Sequence, residues 1–571
     1  INGTLFLNAN NGTHGTELWK SNGTESGTNM VRDINLSGSS EPKNLTQIGN
    51  KLFFSAELPF YGREPWISNG TETTTHAIKD IYPGSAGSDP YYFVEINNSA
   101  VFVAGDPVNG EEVWRSNGTD TGTYLIKDIY PGFSSGFNSW MISNNGIAYF
   151  SADNSTNFEP WRTDGTLDGT YMIADVYAGN LSSFPSYFIS VGDKIFFAAK
   201  DATGELVRIY NTVSGELSSQ TPLLIPEDSY PSHAKLSNNK IYFTAISTLY
   251  GNTGNELWIT DGTDAGTSMV KDIDPGLPSS NPNYFTDVNG KMFFTTHYVS
   301  GDDVPNLYVT EGSDASTIFL GSFNQSTTSF HPLGDTIGFN GDFYFKGSDP
   351  DHGFEPWKSD GTLAGTKMLL DIAPGIAHSY PDHFVKFNGE LYFSAMDDLY
   401  GSEMWKTDGT TGGTMVLDIT PGIADTDPTG MIVFHDSLFF FAYDSFHGRE
   451  IWKSDGTAVG SKFFMQTMPG TAYNWPIMLT VCGDYLYFLA DDGIDGRELW
   501  RTDGSPSGTS MIKDIVAGSE PISGTPHFYC FNNSLYFWVD DGVHDTELWQ
   551  SDGTESGTFM VNDFCHKDFC F

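Results

Sequence analysis

Runs of five to seven residues that alternate between apolar and polar recur along the chain, separated by turn-forming residues. One segment illustrates the pattern with four runs, Tyr92–Ile96, Ala100–Ala104, Glu112–Ser116 and Thr123–Ile129. The runs are bounded by Asn97-Asn98, the loop 105–110, Asn117-Gly118 and Pro131-Gly132. Alternation with a period of two between such turns predicts β-strands. No helical period interrupts the series, so the pattern predicts an all-β protein.

The strand pattern belongs to a longer repeat. The stretch Glu256–Gly276, ELWITDGTDAGTSMVKDIDPG, returns as ELWKSNGTESGTNMVRDI at Glu17 and as ELWQSDGTESGTFMVNDF at Glu547. Twelve copies, 46 to 51 residues apart, place the Trp or its substitute at Trp19, Trp66, Trp114, Trp161, Val207, Trp258, Tyr308, Trp357, Trp405, Trp452, Trp500 and Trp549. Such a period is typical of repeat architectures. Four strands in about 48 residues is the size of one β-propeller blade.

We therefore predict that residues 1–571 form a single β-propeller of twelve four-stranded antiparallel blades, about 48 residues each. Two six-bladed propellers, with a boundary near Pro275–Asn306, are the alternative. Repeats five and seven depart from the consensus at Val207 and Tyr308. The chain opens at the second strand of a repeat, and we expect Phe569–Phe571 to supply the missing strand; alternatively, that strand lies upstream.

The chain is strongly acidic, with 72 acidic against 28 basic residues and a formal net charge of −44. This charge repels phosphate backbones and anionic lipid headgroups, so nucleic acid is not an expected partner. Divalent cations and cationic partners suit it better, although the charge also serves solubility alone. No run of 18 or more apolar residues occurs, so we expect no membrane-spanning helix.

Acceptor sequences for N-glycosylation are concentrated in the first third of the chain. The twelve Asn-X-Ser/Thr sites are Asn2, Asn11, Asn22, Asn35, Asn44, Asn69, Asn97, Asn117, Asn154, Asn180, Asn324 and Asn532. None lies between Gln325 and Phe531, and three replace the consensus Asp of the Asp-Gly-Thr turn. Asn-Gly is also simply a good turn. The chain starts at Ile1 with no secretory leader, so we expect a mature form or a fragment whose signal has been removed. Together with the sequons, this favours a secreted glycoprotein of eukaryotic origin.

Four cysteines all lie late in the chain: Cys482, Cys530, Cys565 and Cys570. An even number in a secreted chain suggests two disulfides, with three possible connectivities. Cys482 and Cys530 hold nearly the same place in adjacent repeats. We therefore expect a bridge between neighbouring repeats and a small terminal loop closed by Cys565 and Cys570.

The repeated polar residues are predicted to serve the scaffold. Glu precedes the apolar-Trp pair in eleven of twelve repeats. An active site needs one special pair of carboxylates with separated pKa values, whereas eleven copies suggest that the Glu accepts hydrogen bonds from a neighbouring turn. The Trp is better explained as a blade-to-blade packing residue than as a platform for sugars. His14, His352, His447 and His544 precede the motif Glu by three residues, either as metal ligands or as loop-tip residues.

One acidic loop is a candidate calcium site. Asp491, Asp492 and Asp495 alternate with Gly as in a calcium loop, but a bidentate Glu is missing at the usual place. The alternative is an acidic turn without an ion. Metalloprotease, Cys-X-X-Cys and Ser-His-Asp signatures are absent from the sequence.

The motif E-L-W-x-x-D-G-T-x-x-G-T, followed by K-D-I-x-P-G, resembles the ELWxxDGT repeat family. The resemblance covers nearly the whole chain, since ten of twelve repeats show the motif plainly. It implies a propeller-like extracellular module, hyalin-like or surface-associated, without a defined activity.

The sequence favours a non-catalytic function. The first hypothesis is a secreted structural or interaction glycoprotein of an extracellular coat, matrix or filament, binding other proteins or itself. Its protein-contact surface would be the sequon-free segment 325–531. The second is a carbohydrate-binding adhesin, and the third is an enzyme with its site in repeats five and seven.

Overall fold

The computed structural model describes residues 1, 3–22, 27–202, 204–217, 223–224, 235–247, 253–261, 263, 265–296, 305–323, 335–420, 425–468, 476–518, 521–522, 527–543 and 546–561. They form twelve separate antiparallel sheets, which confirms the predicted fold class: all-β, with twelve antiparallel blades of the β-propeller type. Nine sheets have four strands; blades 1 and 5 have three and blade 6 has five. Helix in the described ranges is limited to four 3₁₀ turns, Glu72–Thr74, Asp314–Ser316, Thr411–Gly413 and Pro506–Gly508.

The chain divides into two compact units, Ile1–Ser279 and Ser280–Val561, and each contains six sheets. The division falls inside the range 275–306, where the alternative of two six-bladed propellers places its boundary. Whether the twelve blades are one domain or two stays a prediction.

Unit 1 contains blades 1 to 6. Their strands are β1 (Leu5–Asn10), β2 (Thr16–Ser21) and β3 (Asn29–Arg32) in blade 1; β4 (Lys43–Ile48), β5 (Lys51–Leu58), β6 (Gly62–Ser68) and β7 (His76–Ala77) in blade 2; β8 (Tyr91–Ile96), β9 (Ser99–Asp106), β10 (Gly110–Ser116) and β11 (Tyr124–Lys127) in blade 3; β12 (Phe137–Asn144), β13 (Ile147–Asp153), β14 (Phe158–Thr163) and β15 (Tyr171–Met172) in blade 4; β16 (Ser186–Val191), β17 (Lys194–Asp201) and β18 (Gly204–Asn211) in blade 5; and β19 (Leu223–Leu224), β20 (Lys235–Ser237), β21 (Lys240–Ser247), β22 (Thr253–Thr260) and β23 (Ser268–Lys271) in blade 6.

Unit 2 contains blades 7 to 12. Their strands are β24 (Asn283–Val288), β25 (Lys291–Thr296), β26 (Asn306–Thr310) and β27 (Ile318–Ser322) in blade 7; β28 (Ile337–Phe339), β29 (Asp342–Gly347), β30 (Glu355–Ser359) and β31 (Lys367–Met368) in blade 8; β32 (Asp382–Phe387), β33 (Glu390–Asp397), β34 (Gly401–Thr407) and β35 (Met415–Leu417) in blade 9; β36 (Thr429–Phe434), β37 (Ser437–Asp444), β38 (Gly448–Ser454) and β39 (Lys462–Met465) in blade 10; β40 (Ile477–Cys482), β41 (Tyr485–Asp491), β42 (Arg497–Thr502) and β43 (Ser510–Lys513) in blade 11; and β44 (Tyr529–Phe531), β45 (Ser534–Asp540), β46 (Thr546–Ser551) and β47 (Thr558–Met560) in blade 12.

Each complete blade is a meander of strands joined by tight turns. Blade 3 shows the order β11-β10-β9-β8, with every pair antiparallel. The turn between β8 and β9 is the predicted Asn97-Asn98, with φ of 46° and 64°. Positive φ at both central residues defines the two-residue hairpin turn that matches the twist of the strands, and Asn tolerates it. The turn chemistry in the sequence therefore specifies the blade.

The first strands of successive blades lie side by side within a unit. β4 contacts β8, β8 contacts β12, and β12 contacts β16; in unit 2, β32 contacts β36, β36 contacts β40, and β40 contacts β44. The hydrophobic core lies between neighbouring blades.

The motif Trp packs one blade against the next, as predicted. One core cluster combines Val101, Val103 and Val113 of blade 3 with Phe150 and Trp161 of blade 4. Equivalent clusters join blades 1 and 2, 2 and 3, 9 and 10, 10 and 11, and 11 and 12, and each contains the Trp of the second blade. Replacing a buried aromatic of this size by Ala typically costs about 3–5 kcal/mol.

One of the two expected disulfides is confirmed. Cys482, at the end of β40 in blade 11, is bonded to Cys530 in β44 of blade 12, with 5.3 Å between their Cα atoms. Cys565 and Cys570 lie outside the described residues, as does the proposed closing strand Phe569–Phe571, so both stay predictions. No described helix is long and apolar enough to cross a membrane.

The disulfide gives the first testable prediction. It closes a loop with a sequence separation of 48 residues, for which the chain-entropy model gives about 4 kcal/mol of stabilisation. We expect Cys482→Ala/Cys530→Ala to unfold at a lower temperature, measured by calorimetry in the absence of reductant. Reductant should lower the wild-type transition and leave that of the double variant unchanged. Equal transitions for both proteins would contradict the assignment.

Candidate functional site

The motif Glu holds the linker that leads to the next blade. In blade 2, Oε2 of Glu64 accepts the backbone N–H of Ile81 at 2.9 Å and the hydroxyl of Ser88 at 2.6 Å. Oε1 accepts the N–H groups of Tyr82 and Ser88, both at 3.1 Å. The carbonyl of Ser88 accepts the N–H of Gly105 in blade 3. The predicted scaffold role of this Glu is therefore confirmed, since it links its own blade to the linker and the linker to the next blade.

The same arrangement recurs with different degrees of completeness. Glu17, Glu159 and Glu355 accept the same four kinds of hydrogen bond, from Ser40, Ser183 and Ser379 among others. In blades 3 and 11 the Ser position holds Gly136 and Ile522, which carry no hydroxyl. There Oε2 of Glu112 has no hydrogen-bond partner within the part of the chain that the structure describes.

Burial raises the pKa of these carboxyls. It raises the pKa of Glu64 and of Glu355 to about 7, because the Ser hydroxyl and backbone N–H groups oppose part of the desolvation. Burial raises the pKa of Glu112, Glu403 and Glu498 to about 8. These carboxyls are at most 2% exposed, so a substrate has no access to them. Their perturbed pKa reflects a structural role.

Basic side chains that follow the motif Trp form a second contact between blades. Nζ of Lys20 donates to the carbonyl of Gly70 in the next blade at 2.6 Å, and Nζ of Lys453 donates to Gly504 at 2.8 Å. Nη1 of Arg115 does the same to Gly165 at 3.2 Å. The Gly belongs to the Asn/Asp-Gly turn of the motif. This turn is therefore a contact between blades as well as a hairpin.

The predicted His residues pair with the loop that carries them. Nδ1 of His352 lies 2.8 Å from Asp349, which raises the pKa of the imidazole, and its Nε2 lies 4.0 Å from Asp371. Nδ1 of His447 lies 2.7 Å from Asp444, and the ring stacks on Phe463. His14 contacts Asn11. His544 lies outside the described residues. These contacts explain loop-tip His residues, and metal binding by them stays a prediction.

The candidate calcium loop uses its carboxylates in a turn. Oδ1 of Asp492 accepts the N–H groups of Ile494 and Asp495, both at 2.8 Å, and Oδ1 of Asp491 accepts that of Gly493. Asp495 stands where blades 8 and 10 carry His. Partial burial and the carboxylates of Asp492 and Asp514 raise the pKa of Asp495. A turn explains the acidic pattern, and calcium binding here stays a prediction.

Most predicted glycosylation sites are at the surface. Asn22, Asn44, Asn69, Asn97, Asn117, Asn180 and Asn532 are exposed, and Asn11 and Asn154 are partly exposed. Asn35 is buried, and its Nδ2 donates to the carbonyl of Ser39 at 2.8 Å, so its amide is not accessible in the folded chain. Asn2 and Asn324 lie outside the described residues. Glycosylation of the exposed sites stays a prediction.

A cavity of about 700 Å³ opens between blades 9 and 10 of unit 2. Its wall combines the linker before β32, the linker before β36 and the start of β38, and it includes Tyr380, Asp382, His383, Asp425, Asp427 and Arg449. The guanidinium of Arg449 donates to the carbonyl of Asp427 at 3.3 Å and to the hydroxyl of Thr429. Blade 2 uses Arg63 in the same way on the carbonyl of Glu41. Arg449 therefore fixes one wall of the cavity.

Ionisable groups converge beside this cavity, and two of them, Asp382 and His383, line it. Asp335, Asp382 and His383 each place a ligand-type atom within 4.8 Å of the others. Nδ1 of His383 lies 3.9 Å from Oδ2 of Asp335. Imidazole and carboxylate are suitable ligands for a transition metal. This set, not Asp491, Asp492 and Asp495, is the candidate that the structure brings together.

Sequence reasoning missed the cavity because no motif marks it. His383 has a φ of 58° and occupies the position that holds Tyr92, Tyr187 and Tyr284 in other blades. A His at this position was the available signal, although the position also carries Asn44, Trp140 and Met478 in other blades. It cannot be recognised without knowing that the position faces a cavity.

No protein-family model and no curated protein matches the chain. Similar solved structures include the tricorn protease (12% identity, TM-score 0.28, 99% of this chain and 57% of that chain) and puromycin hydrolase (12%, 0.27, 64% and 60%). A GH74 enzyme of Niastella koreensis is also similar (10%, 0.24, 92% and 86%). The chain spans about three fifths of the length of the first two. Similarity at this level carries no argument about activity.

We call the motif Glu and the linker groups that donate hydrogen bonds to it the Glu clamp. The contribution of the Ser hydroxyl to this clamp can be tested in blade 2. Ser88→Ala removes one donor from the buried carboxyl of Glu64, and loss of a buried partner of a charged group costs about 1–3 kcal/mol. We expect the free energy of unfolding to fall by this amount in chemical denaturation. The control is Ser85→Ala, an exposed residue of the same linker, which should leave stability within about 0.5 kcal/mol. Equal effects of the two substitutions would show that the hydroxyl does not hold the linker.

The raised pKa values predict an unusual pH dependence of stability. These carboxyls have a pKa of about 7 to 8 in the folded chain and 4.5 in the unfolded chain. Between pH 4.5 and 8 the folded chain therefore binds more protons than the unfolded chain. The contribution of these carboxyls to stability is complete below pH 4.5 and is lost as pH rises through 8. We expect a higher unfolding temperature at pH 5.5 than at pH 8.5.

Matched variants separate the clamp from the overall charge. Glu498→Gln should reduce the pH slope, because one proton fewer is released on unfolding. Glu555→Gln, at an exposed position, should leave the slope unchanged. A stability that rises toward pH 8.5 in the wild-type protein would contradict the prediction.

Proposed function

We propose that the chain is a secreted, N-glycosylated interaction scaffold of an extracellular coat, matrix or filament, which binds other proteins or copies of itself. The observation that carries this proposal is the use of the repeated polar residues. The motif Glu and the linker Ser hold the linker to the next blade, and the basic residue after the Trp contacts the next blade in blades 1, 3 and 10. The repeat therefore supplies architecture, and what distinguishes the protein is left to its surface.

The distribution of sequons supports a contact surface. Ten of the twelve lie before residue 181, and the segment 325–531 contains none. N-glycans are bulky and keep the surface around them solvated. A surface that binds protein has to be free of them. The disulfide between Cys482 and Cys530 is consistent with an oxidising, extracellular location, as is the resemblance to ELWxxDGT repeats.

A second candidate function is carbohydrate binding. Tyr92 and Trp140, at equivalent positions of β8 and β12, are each 42% exposed, and the Trp140 ring lies 5.0 Å from that of Tyr187 in β16. Exposed aromatic faces on adjacent strands are suited to stacking against sugar rings. This observation favours an adhesin over an enzyme as the alternative.

New glycans placed at matched turns test the scaffold proposal. Asp408→Asn creates an Asn-Gly-Thr sequon in blade 9, inside the segment 325–531. The turn should be kept, because Oδ1 of Asn117 accepts the same two hydrogen bonds from Thr119 that Asp408 accepts from Thr410. We expect the glycan on Asn at 408 to block assembly with partners, measured by co-purification of the native assembly or by particle size.

The control is Asp164→Asn, which creates the same sequon in blade 4 of the sequon-rich part. It should be glycosylated and leave assembly intact. Blocked assembly with both variants, or with neither although both sites are occupied, would count against a contact surface in 325–531. Mass spectrometry establishes occupancy in both cases.

A further inference from the structure

The cavity between blades 9 and 10 lies in the sequon-free segment. The six residues that define it here all fall between 380 and 449. Its volume of about 700 Å³ is within the range of about 300–1,000 Å³ found for ligand pockets. It has room for a short peptide segment with its anchoring side chain. Access from solvent is provided by exposed wall residues, since the ring of Tyr380 is 51% exposed and the Asp427 side chain 67%.

The wall carries more negative than positive charge. Asp382, Asp425 and Asp427 contribute carboxylates. Against them stands the guanidinium of Arg449, which is held by backbone and hydroxyl oxygens and lies 3.8 Å from Asp427. The corresponding Arg63 in blade 2 lies near two carboxylates, Glu57 at 3.4 Å and Asp89 at 3.9 Å. The guanidinium of Arg449 is thus fixed in place. Its single positive charge does not balance the three carboxylates, so the cavity is electronegative.

Aromatic rings at the rim add a second attraction for cations. Tyr380 and Tyr443 both line the cavity. The Tyr380 ring lies 5.0 Å from that of His378 and 5.9 Å from that of Phe354, so it packs against two other rings. An ammonium or guanidinium group over a Tyr face gains about 0.5–2 kcal/mol. Carboxylates beside aromatic faces form a site for a cationic side chain.

We propose that this cavity binds a lysine or arginine side chain presented by a basic partner protein. The proposal rests on the proposed scaffold function and names the chemistry of its contact. The partner is expected to be basic, because a second copy of a chain with a net charge of −44 is repelled at long range. Asp382 at the start of β32 and Asp425 and Asp427 in the linker before β36 would pair with the cation, and the tyrosine rings would cover its aliphatic stem.

Titration with short peptides tests the site directly. The probe is a capped Gly-Arg-Gly-Arg-Gly peptide, compared with a Gly-Gln-Gly-Gln-Gly peptide, by calorimetry at low and at physiological salt. We expect the Arg peptide to bind one site and the Gln peptide not to bind. The double variant Asp425→Asn/Asp427→Asn should weaken binding at least tenfold. Asn retains the side-chain oxygen at 425 that accepts the N–H of Ser402, so the fold should persist, which circular dichroism checks.

Controls separate the cavity from the general charge of the chain. Asp484→Asn removes one exposed carboxylate outside the cavity and should leave the affinity unchanged. Tyr380→Ala should weaken the Arg peptide severalfold without changing the charge. Equal loss with Asp484→Asn and with the double variant would overturn the proposal in favour of diffuse attraction. Binding only after zinc or calcium is added would also overturn it, since Asp335, Asp382 and His383 would then hold a metal.

The outcome is independent of the glycan test. If the Arg peptide does not bind while Asp408→Asn still blocks assembly, the cavity proposal fails and the scaffold proposal stands. If the peptide binds at the cavity while the new glycan has no effect, the contact surface in 325–531 fails and the cationic site remains.

Discussion

One buried carboxylate in each complete clamp holds the connection between blades. A linker that passes from one blade to the next leaves backbone N–H groups in the protein interior, and such groups need acceptors. Glu64 supplies two oxygens to three N–H groups and one hydroxyl. Placing a carboxylate there is unfavourable in itself, because burial penalises charge. The arrangement persists because a carboxylate is a compact acceptor that satisfies several converging donors.

The incomplete clamps show how the cost of burying a carboxyl is offset by the donors around it. Where Gly136 replaces the linker Ser, the Cβ of any other residue would lie 2.2 Å from Oε1 of Glu112. Glycine therefore lets the linker approach the carboxyl closely, at the loss of the hydroxyl. Burial raises the pKa of Glu112, and backbone N–H groups oppose only part of this effect. The clamp tolerates the absence of one donor, which explains how blades with different linkers coexist in one chain.

The Glu clamp and the contacts made by basic residues after the motif Trp together shape the surface charge. Several of the chain's 28 basic residues are committed to carbonyl groups of the next blade, as Lys20 and Lys453 are. Among the acidic residues outside the clamp is the Asp of the Asp-Gly-Thr turn, which accepts two hydrogen bonds within the turn and lies at the surface, as at Asp408. The electronegative surface is thus partly a consequence of how the blades are joined. Partners of opposite charge are the natural complement of such a surface.

The sequence repeat determined how much of the fold and of the candidate site could be predicted from the sequence. Strand order, the Asn97-Asn98 turn, Trp packing and the Cys482–Cys530 bridge follow from local patterns or from equal positions in adjacent repeats. The hydrogen-bond partner of the motif Glu could not be predicted, because Ser88 lies 24 residues beyond Glu64 and the repeat motif ends before it. The cavity could not be predicted from the sequence either, because Asp382 and Arg449, which line it, belong to different blades. Neither residue is unusual within its own repeat.

The first strand of each blade shows where variation is free. One residue there has a left-handed backbone in most blades, including Asn44, Tyr92, Trp140, His383, Gly430 and Met478, with φ from 52° to 67°. This conformation costs most L-residues about 1–2 kcal/mol, which Gly avoids. A bulge in the pairing of the first two strands imposes it, so the backbone there does not depend on the side chain. The fold therefore accepts Tyr, Trp, His or Met at one strained, often exposed position. This position holds aromatic residues in blades 3 and 4 and His383 at the cavity. Blades with the same backbone therefore differ in their surface chemistry at this position.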